Sequence, residues 1–159
     1  MTTGWYALVD AAADEGLWPL IERCEKRACL LSGKLHPVLA AAAPYLVALN
    51  DNEPLLPAWR EQGVGKAWGF MVEAEMGLEP LRKQFRRFLQ AMLPDGTIAQ
   101  FRVYDPRIFA TYLPAAPPEQ QAQWFEGVRQ YAVEGANKTQ HSFRLRQGRL
   151  FDGDTPLAA

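Results

Sequence analysis

The order of apolar and polar positions divides this chain into short strands and helices. Trp5-Tyr6-Ala7-Leu8-Val9-Asp10 is an apolar run ending at an acid, the pattern of a buried strand whose C-terminal end reaches solvent. Leu17, Leu20, Ile21 and Cys24 are spaced for a helix, and Arg27 to Leu31 reads as a second strand before a turn at Ser32-Gly33. Ala40 to Ala43 reads as a helical turn stopped by Pro44, and Tyr45 to Leu49 as a strand closed by Asn50-Asp51-Asn52. Leu55, Leu56, Ala58 and Trp59 predict a short helix ended by Gly63, and Ala67 to Ala74 another strand.

The second half turns on one helix and the stretch after it. Leu78, Leu81, Phe85, Phe88, Leu89 and Met92 recur at three- and four-residue steps, so Leu78 to Leu93 reads as one amphipathic helix. Its opposite side carries Arg82, Lys83, Arg86 and Arg87. Pro94-Asp95-Gly96 breaks it and reverses the chain into a strand beginning near Ile98. Phe101 and Val103 alternate with Arg102 and Tyr104, which extends that strand with one face inward. Asp105 then caps, and Pro106 opens, a short helix over Arg107 to Leu113. Pro114 to Pro118 reads as a stiff connector, and Glu119 to Glu126 as a helix stopped at Gly127. Arg129 to Glu134 and His141 to Arg146 are strand candidates, the second joined through Gln147-Gly148 to Arg149-Leu150-Phe151 as a hairpin.

These elements predict a single α+β domain over residues 1–152, a mixed sheet flanked by helices, with residues 153–159 as a disordered tail. A chain of 159 residues, 48% hydrophobic and 22% charged, builds its own core without metal or disulfide support. A net charge of −1 leaves no overall pull toward nucleic acid or an anionic membrane, so any basic site is local. The N-terminus lacks a positive segment followed by an apolar run, and no later stretch approaches membrane-spanning length. Cys24 and Cys29 read as free thiols of a cytosolic protein.

Chemistry is sparse. Gly63-Val64-Gly65-Lys66-Ala67 only glances at a phosphate loop, because Arg60 and Ala67 replace the first glycine and the magnesium-binding hydroxyl. His36 and His141 have no acid or cysteine at ligand spacing, and no nucleophile elbow surrounds Ser32 or Ser142. No metal or cofactor is expected. The five tryptophans read mostly as core, although an exposed one would make a natural interface anchor.

Taken in order, Trp5 to Asp10, Ala43 to Val47, Trp68-Gly69, the arginine-bearing helix Leu81 to Leu89, Leu93 to Gly96 and Phe101 to Phe109 resemble one family. It is the bacterial type VI secretion effector adaptor/chaperone family, catalogued as a domain of unknown function, DUF4123. The resemblance implies a non-catalytic adaptor that binds a secretion effector in the producing cell and helps load it onto a spike protein. On that reading the partner-binding residues are Arg82, Arg86, Arg87, Arg102, Tyr104 and Arg107, with arginines steering an apolar contact from its rim. A rival reading is an enzyme for a phosphorylated or acidic substrate, which requires Asp10, Asp105 and Arg107 to converge in one pocket. A third, nucleic-acid binding through the basic helix, predicts a steep loss of affinity with salt.

Overall fold

The computed structural model describes residues 3–31, 33–50 and 53–157. The chain enters through β1 (Gly4–Asp10), which lies inside an eight-stranded sheet between β3 (Pro44–Ala48) and β4 (Gly69–Ala74). Beyond β3 lies β2 (Arg27–Cys29); beyond β4 follow β7 (Val128–Glu134), β8 (Gln140–Arg146), β9 (Arg149–Asp152) and β10 (Thr155–Pro156). Every paired neighbour in it is antiparallel, which replaces the expected mixed sheet. The reason is topological: β1 and β2 run the same way, as a helical crossover requires, but β3 inserts between them.

Helices cover both sides of β1. On one side α1 (Leu17–Glu22) and α3 (Leu55–Ala58) pack Leu17, Ile21 and Leu55 against Ala7, Val9, Tyr45 and Val47. On the other, α4 (Leu78–Phe88), α5 (Pro106–Ala115) and α6 (Pro118–Trp124) pack Leu81, Phe85, Phe109, Leu113 and Trp124 onto Leu8, Phe70, Val72, Tyr131 and Phe143. A strand buried on both faces needs no polar alternation, hence the apolar run from Tyr6 to Val9. At its C-terminal end the approach of β4 is so close that a Cβ on Gly69 would lie 1.8 Å from the Leu8 carbonyl oxygen. The short α2 (Pro37–Ala40) lies one turn earlier than the expected Ala40 to Ala43, since Pro37 occupies the first helical position and His36 caps it.

Three expectations change in the second half. The basic helix ends at Phe88, because residues 90–92 leave it to form β5 (Gln90–Met92), which pairs with β6 (Ile98–Gln100) across the Pro94-Asp95-Gly96 turn. Apolar spacing through Leu89 and Met92 suits either a last helical turn or a short strand, and hydrogen bonding across the turn decides it. Phe101 to Tyr104 is not strand: the Asp105 amide donates to the Arg102 carbonyl at 3.1 Å, closing a turn that buries both Val103 and Tyr104. Pro114 lies within the last turn of α5, and Pro118 opens α6, so only Ala116-Pro117 connects them. The Leu113 carbonyl accepts the Ala116 amide at 3.3 Å, and the buried Gln121 side-chain amide donates to it as well, at 3.0 Å.

Residues 153–156 continue the sheet, and residues 158–159 of the expected tail lie outside the described residues. Gly153, at φ 60°, turns the chain back, and Thr155 and Pro156 pair with Asp152 and Phe151, so the tail expected at 153–159 is sheet through Pro156. The hairpin before it forms as expected, with Gln147 and Gly148 both at positive φ, the combination a two-residue type I′ turn demands. The turn at Ser32 and the strand closure at Asp51-Asn52 fall partly outside the described residues.

Phe109 stacks on Phe70 at 4.3 Å between ring centroids and stands 5.1 Å from both Tyr131 and Trp124. Truncating it opens a cavity in the tightest part of this layer. Phe109→Ala is expected to lower stability by about 3–5 kcal/mol in urea denaturation, while Ile108→Ala, at an exposed neighbour on the same helix, changes it by less than about 0.5 kcal/mol. Gly69→Ala is expected to remove the cooperative unfolding transition altogether, since neither strand backbone can yield.

Candidate partner-binding surface

The corner at the end of β1 gathers the predicted acids and arginines into two clamps. Asp10 accepts the Ala12 amide at 3.0 Å through Oδ1, capping a 3-10 turn, and Arg102 Nη2 donates to its Oδ2 at 3.4 Å. The Arg102 guanidinium stands 5.7 Å from the centroid of the buried Tyr104 ring, so Tyr104 is a platform under the arginine. Burial pushes the Tyr104 hydroxyl up in pKa, partly offset by Arg102. Next along the chain, Asp105 accepts the Arg107 amide at 2.9 Å as the cap of α5. The Arg107 guanidinium returns to the same carboxylate, Nε to Oδ1 at 3.1 Å and Nη2 to Oδ2 at 2.8 Å. Both carboxylates are thus committed to backbone caps and arginines. The cavity that Arg107 does line, about 250 Å³, is walled by Gly65, Glu134 and Lys138, and neither of these acids lines it.

The basic helix separates into a tether and a free end. Arg82 grips Glu79 through Nη2 at 2.6 Å and Nε at 3.0 Å, and its Nη1 donates to the Cys29 carbonyl at 3.3 Å, tying α4 to β2. The hydrogen bond from Arg82 holds the Glu79 carboxyl below the usual carboxylate range. Arg86 is half-buried on the next turn, and Arg87 is exposed at the last turn, where a cation favours the negative end of the helix.

Arg87 stands at the lip of an aromatic groove of about 470 Å³ between α4, α5, α6 and the base of the β5–β6 ribbon. Phe88, Phe101, Tyr112 and the nearly buried Trp124 line it, with Gln90, Gln120 and Gln123 at the rim. Phe88 packs on Trp124 at 4.2 Å, and Phe101 meets Tyr112 edge to face at 4.9 Å. The Trp124 indole N–H donates to the Tyr112 hydroxyl at 3.3 Å, which donates to Gln120 Oε1 at 3.1 Å. The groove can therefore bury an apolar side chain on its floor and offer amide hydrogen bonds above. Of the six predicted residues only Arg87 lines it; Arg102, Tyr104 and Arg107 belong to the corner, and Arg82 to the β2 tether. The groove was not legible in the sequence: its residues come from α4, β5, α5, α6 and the turn before α5, and Phe101 reads as an inward strand residue until the turn at Val103-Tyr104 is known.

His141 Nδ1 and Asp152 Oδ2 are 2.7 Å apart, joining β8 to β9, and His36 Nδ1 accepts the Val38 amide at 3.2 Å. Among the described residues, no three His, Cys, Asp or Glu side chains are grouped to hold a metal ion. Both cysteines are free thiols, and burial pushes the Cys24 thiol up to about 12. No helix among the described residues is long and apolar enough to cross a membrane.

An antiparallel sheet flanked by helices, with an aromatic groove at the rim of the α4–α5–α6 layer, defines an α+β domain. The chain belongs to the family described as a domain of unknown function, DUF4123, whose model matches residues 5–123. That stretch runs from β1 almost to the end of α6 and includes every groove residue except Trp124. No curated protein and no solved structure matches the chain.

The Asp105–Arg107 clamp gives a pH test. The hydrogen bond from the Arg107 guanidinium is the main reason that the Asp105 carboxyl stays below its usual range. Its contribution to stability is complete above the unfolded carboxylate value and is lost as pH falls through the lower folded value. The stability advantage of the native chain over Asp105→Asn is expected to be constant above about pH 5 and to shrink between about pH 4 and pH 2 in urea denaturation.

Proposed function

We propose that this protein is a non-catalytic adaptor that holds a type VI secretion effector in the producing cell and hands it to the spike protein of the injection apparatus. Family membership and the resemblance of the Trp5 to Phe109 segments support the class of partner. The observation that carries the reading is the aromatic groove at Arg87, inside the family-matched stretch.

The groove supplies one anchor of a larger contact. An apolar side chain seated on Trp124 and Phe88 contributes about 1.5–3 kcal/mol, whereas micromolar affinity needs about 8 kcal/mol. The effector must therefore cover neighbouring surface as well, on the scale of about 800 Å² on each partner. Gln90, Gln120 and Gln123 would bond the backbone of the bound segment, and Arg87 would speed encounter with an acidic one. In this reading the Asp10–Arg102 and Asp105–Arg107 clamps hold the start of α5, so that its far end presents Tyr112 to the groove.

The test is affinity capture with the tagged chain from the bacterium that encodes it, beside the double variant Arg87→Glu, Phe101→Ala. A secretion effector or spike protein is expected with the native chain and is expected to fall at least about tenfold with the variant, the loss of one anchor and one steering charge. Equal recovery with the variant, or capture without any secretion component, would overturn the reading.

A further inference from the structure

The opposite face of the sheet carries a different kind of surface. There, α1 and α3 cover the β1–β3 half, and none of the side chains clustered beneath them comes from β7, β8 or β9. Tyr131, Val133, Phe143 and Leu150 point into the helical layer, so alternation turns Gln130, Ala132, Ser142, Arg144 and Phe151 outward. An irregularity adds to this face. Glu73 pairs with Gln130 but Ala74 pairs with Val128, so Arg129 is the extra residue of a β-bulge, re-aimed beside Gln130.

A cross-strand ladder holds this face in place. Thr3 Oγ1 and Gln130 Nε2 donate to the two oxygens of Glu73, at 3.2 and 2.8 Å. Gln130 Oε1 in turn accepts from Ser142 Oγ at 3.1 Å and from Arg144 Nε and Nη2 at 3.3 and 3.0 Å. Arg144 is thus oriented by an amide oxygen, with no described carboxylate paired to its charge. Arg129 reaches Glu75 only at 3.9 Å, and Arg146 reaches Asp154 only at 3.7 Å while lying 5.3 Å over the Phe151 ring. Arg129, Arg144 and Arg146 line one cavity of about 560 Å³, with Glu73 its sole carboxylate.

We infer that this face is a second docking surface, and that its occupant is an extended, acidic segment of polypeptide. Three guanidinium groups, that of Arg144 held by hydrogen bonds, lining one cavity with the single hydrogen-bonded carboxylate of Glu73, call for anions. Arg144 and Arg146 are two residues apart on one strand, about 7 Å, which is the spacing of alternate side chains in an extended peptide. Nucleic acid fits less well: Glu73 would face a phosphate, and Phe151, the ring beside these arginines, is already covered by Arg146. Most of this face lies beyond the family-matched stretch, on the other side of the sheet from the groove, so one protein could hold two partners.

The test uses the full chain and a fluorescein-labelled peptide of four Glu-Ser repeats, followed by fluorescence anisotropy at low and high salt. Binding that weakens with salt is expected, at least about tenfold weaker for Arg144→Glu, Arg146→Glu together and unchanged for Lys83→Glu, at an exposed residue of α4. Arg129→Glu, at an exposed residue outside the ladder, is the second variant, expected to weaken binding about threefold without affecting the fold. Equal binding of a Gln-Ser peptide, tighter binding of a dodecamer of deoxythymidine, or equal loss with Lys83→Glu would overturn the inference. Capture by the native chain without any secretion component, with intact binding of the glutamate probe, would instead remove the adaptor reading and leave this surface standing.

Discussion

The seat of Phe109 against Phe70 joins the helical layer to the sheet, and most of the remaining geometry follows from it. Its ring lies almost parallel to Phe70 and near both Tyr131 and Trp124. The Tyr131 hydroxyl, wholly buried, donates to the Trp124 carbonyl, and burial pushes its pKa well above the ordinary value. This one cluster therefore fixes α5 and β7 by their middles and α6 by its end. One turn along α5 from Phe109, Tyr112 faces the groove, whose floor is Trp124. Core packing and the candidate binding surface are two sides of the same aromatic group.

Buried polar side chains perform the smaller adjustments that allow such packing. Gln121 adds a second hydrogen bond to the Leu113 carbonyl at the end of α5, and Gln84, on the apolar face of α4, donates to the Glu126 carbonyl at 2.8 Å. Leaving the Glu126 carbonyl dry and unpaired would cost about 1–3 kcal/mol, comparable to a whole buried side chain. Charge is used in the same way. Arg82, read from its position as a binding residue, spends its guanidinium on Glu79 and the Cys29 carbonyl, and thereby spans from helix to edge strand.

The two surfaces differ because the two faces of the sheet are covered differently. On the helical side, aromatic side chains are brought together by packing and emerge at a rim, which favours burial of an apolar group. On the other side, strands β7 to β9 have nothing above them among the described residues, and their outward residues are polar, hydrogen-bonded across strands and rich in arginine. An antiparallel sheet tolerates water on one face, so such a surface can persist without a partner. Oriented charges on it act on encounter and specificity more than on affinity.

What the chain order alone determined was local: the apolar run of β1, the cap at Asp105 with Pro106, the Asp95 turn, the Gln147-Gly148 hairpin and the inward stripe of α4. Each depends on neighbours within a few residues, where turn chemistry and periodicity suffice. What only the tertiary structure decided was which strands became neighbours, where α4 gave way to a ribbon, and that Tyr104 is buried and Thr155 and Pro156 are paired. It also decided that Arg82 is a tether while Arg87 stands at the groove, and that Phe101, Tyr112 and Trp124 meet. Those outcomes rest on contacts between distant residues. A periodic pattern says which face of an element is apolar, but not what will be brought to cover it.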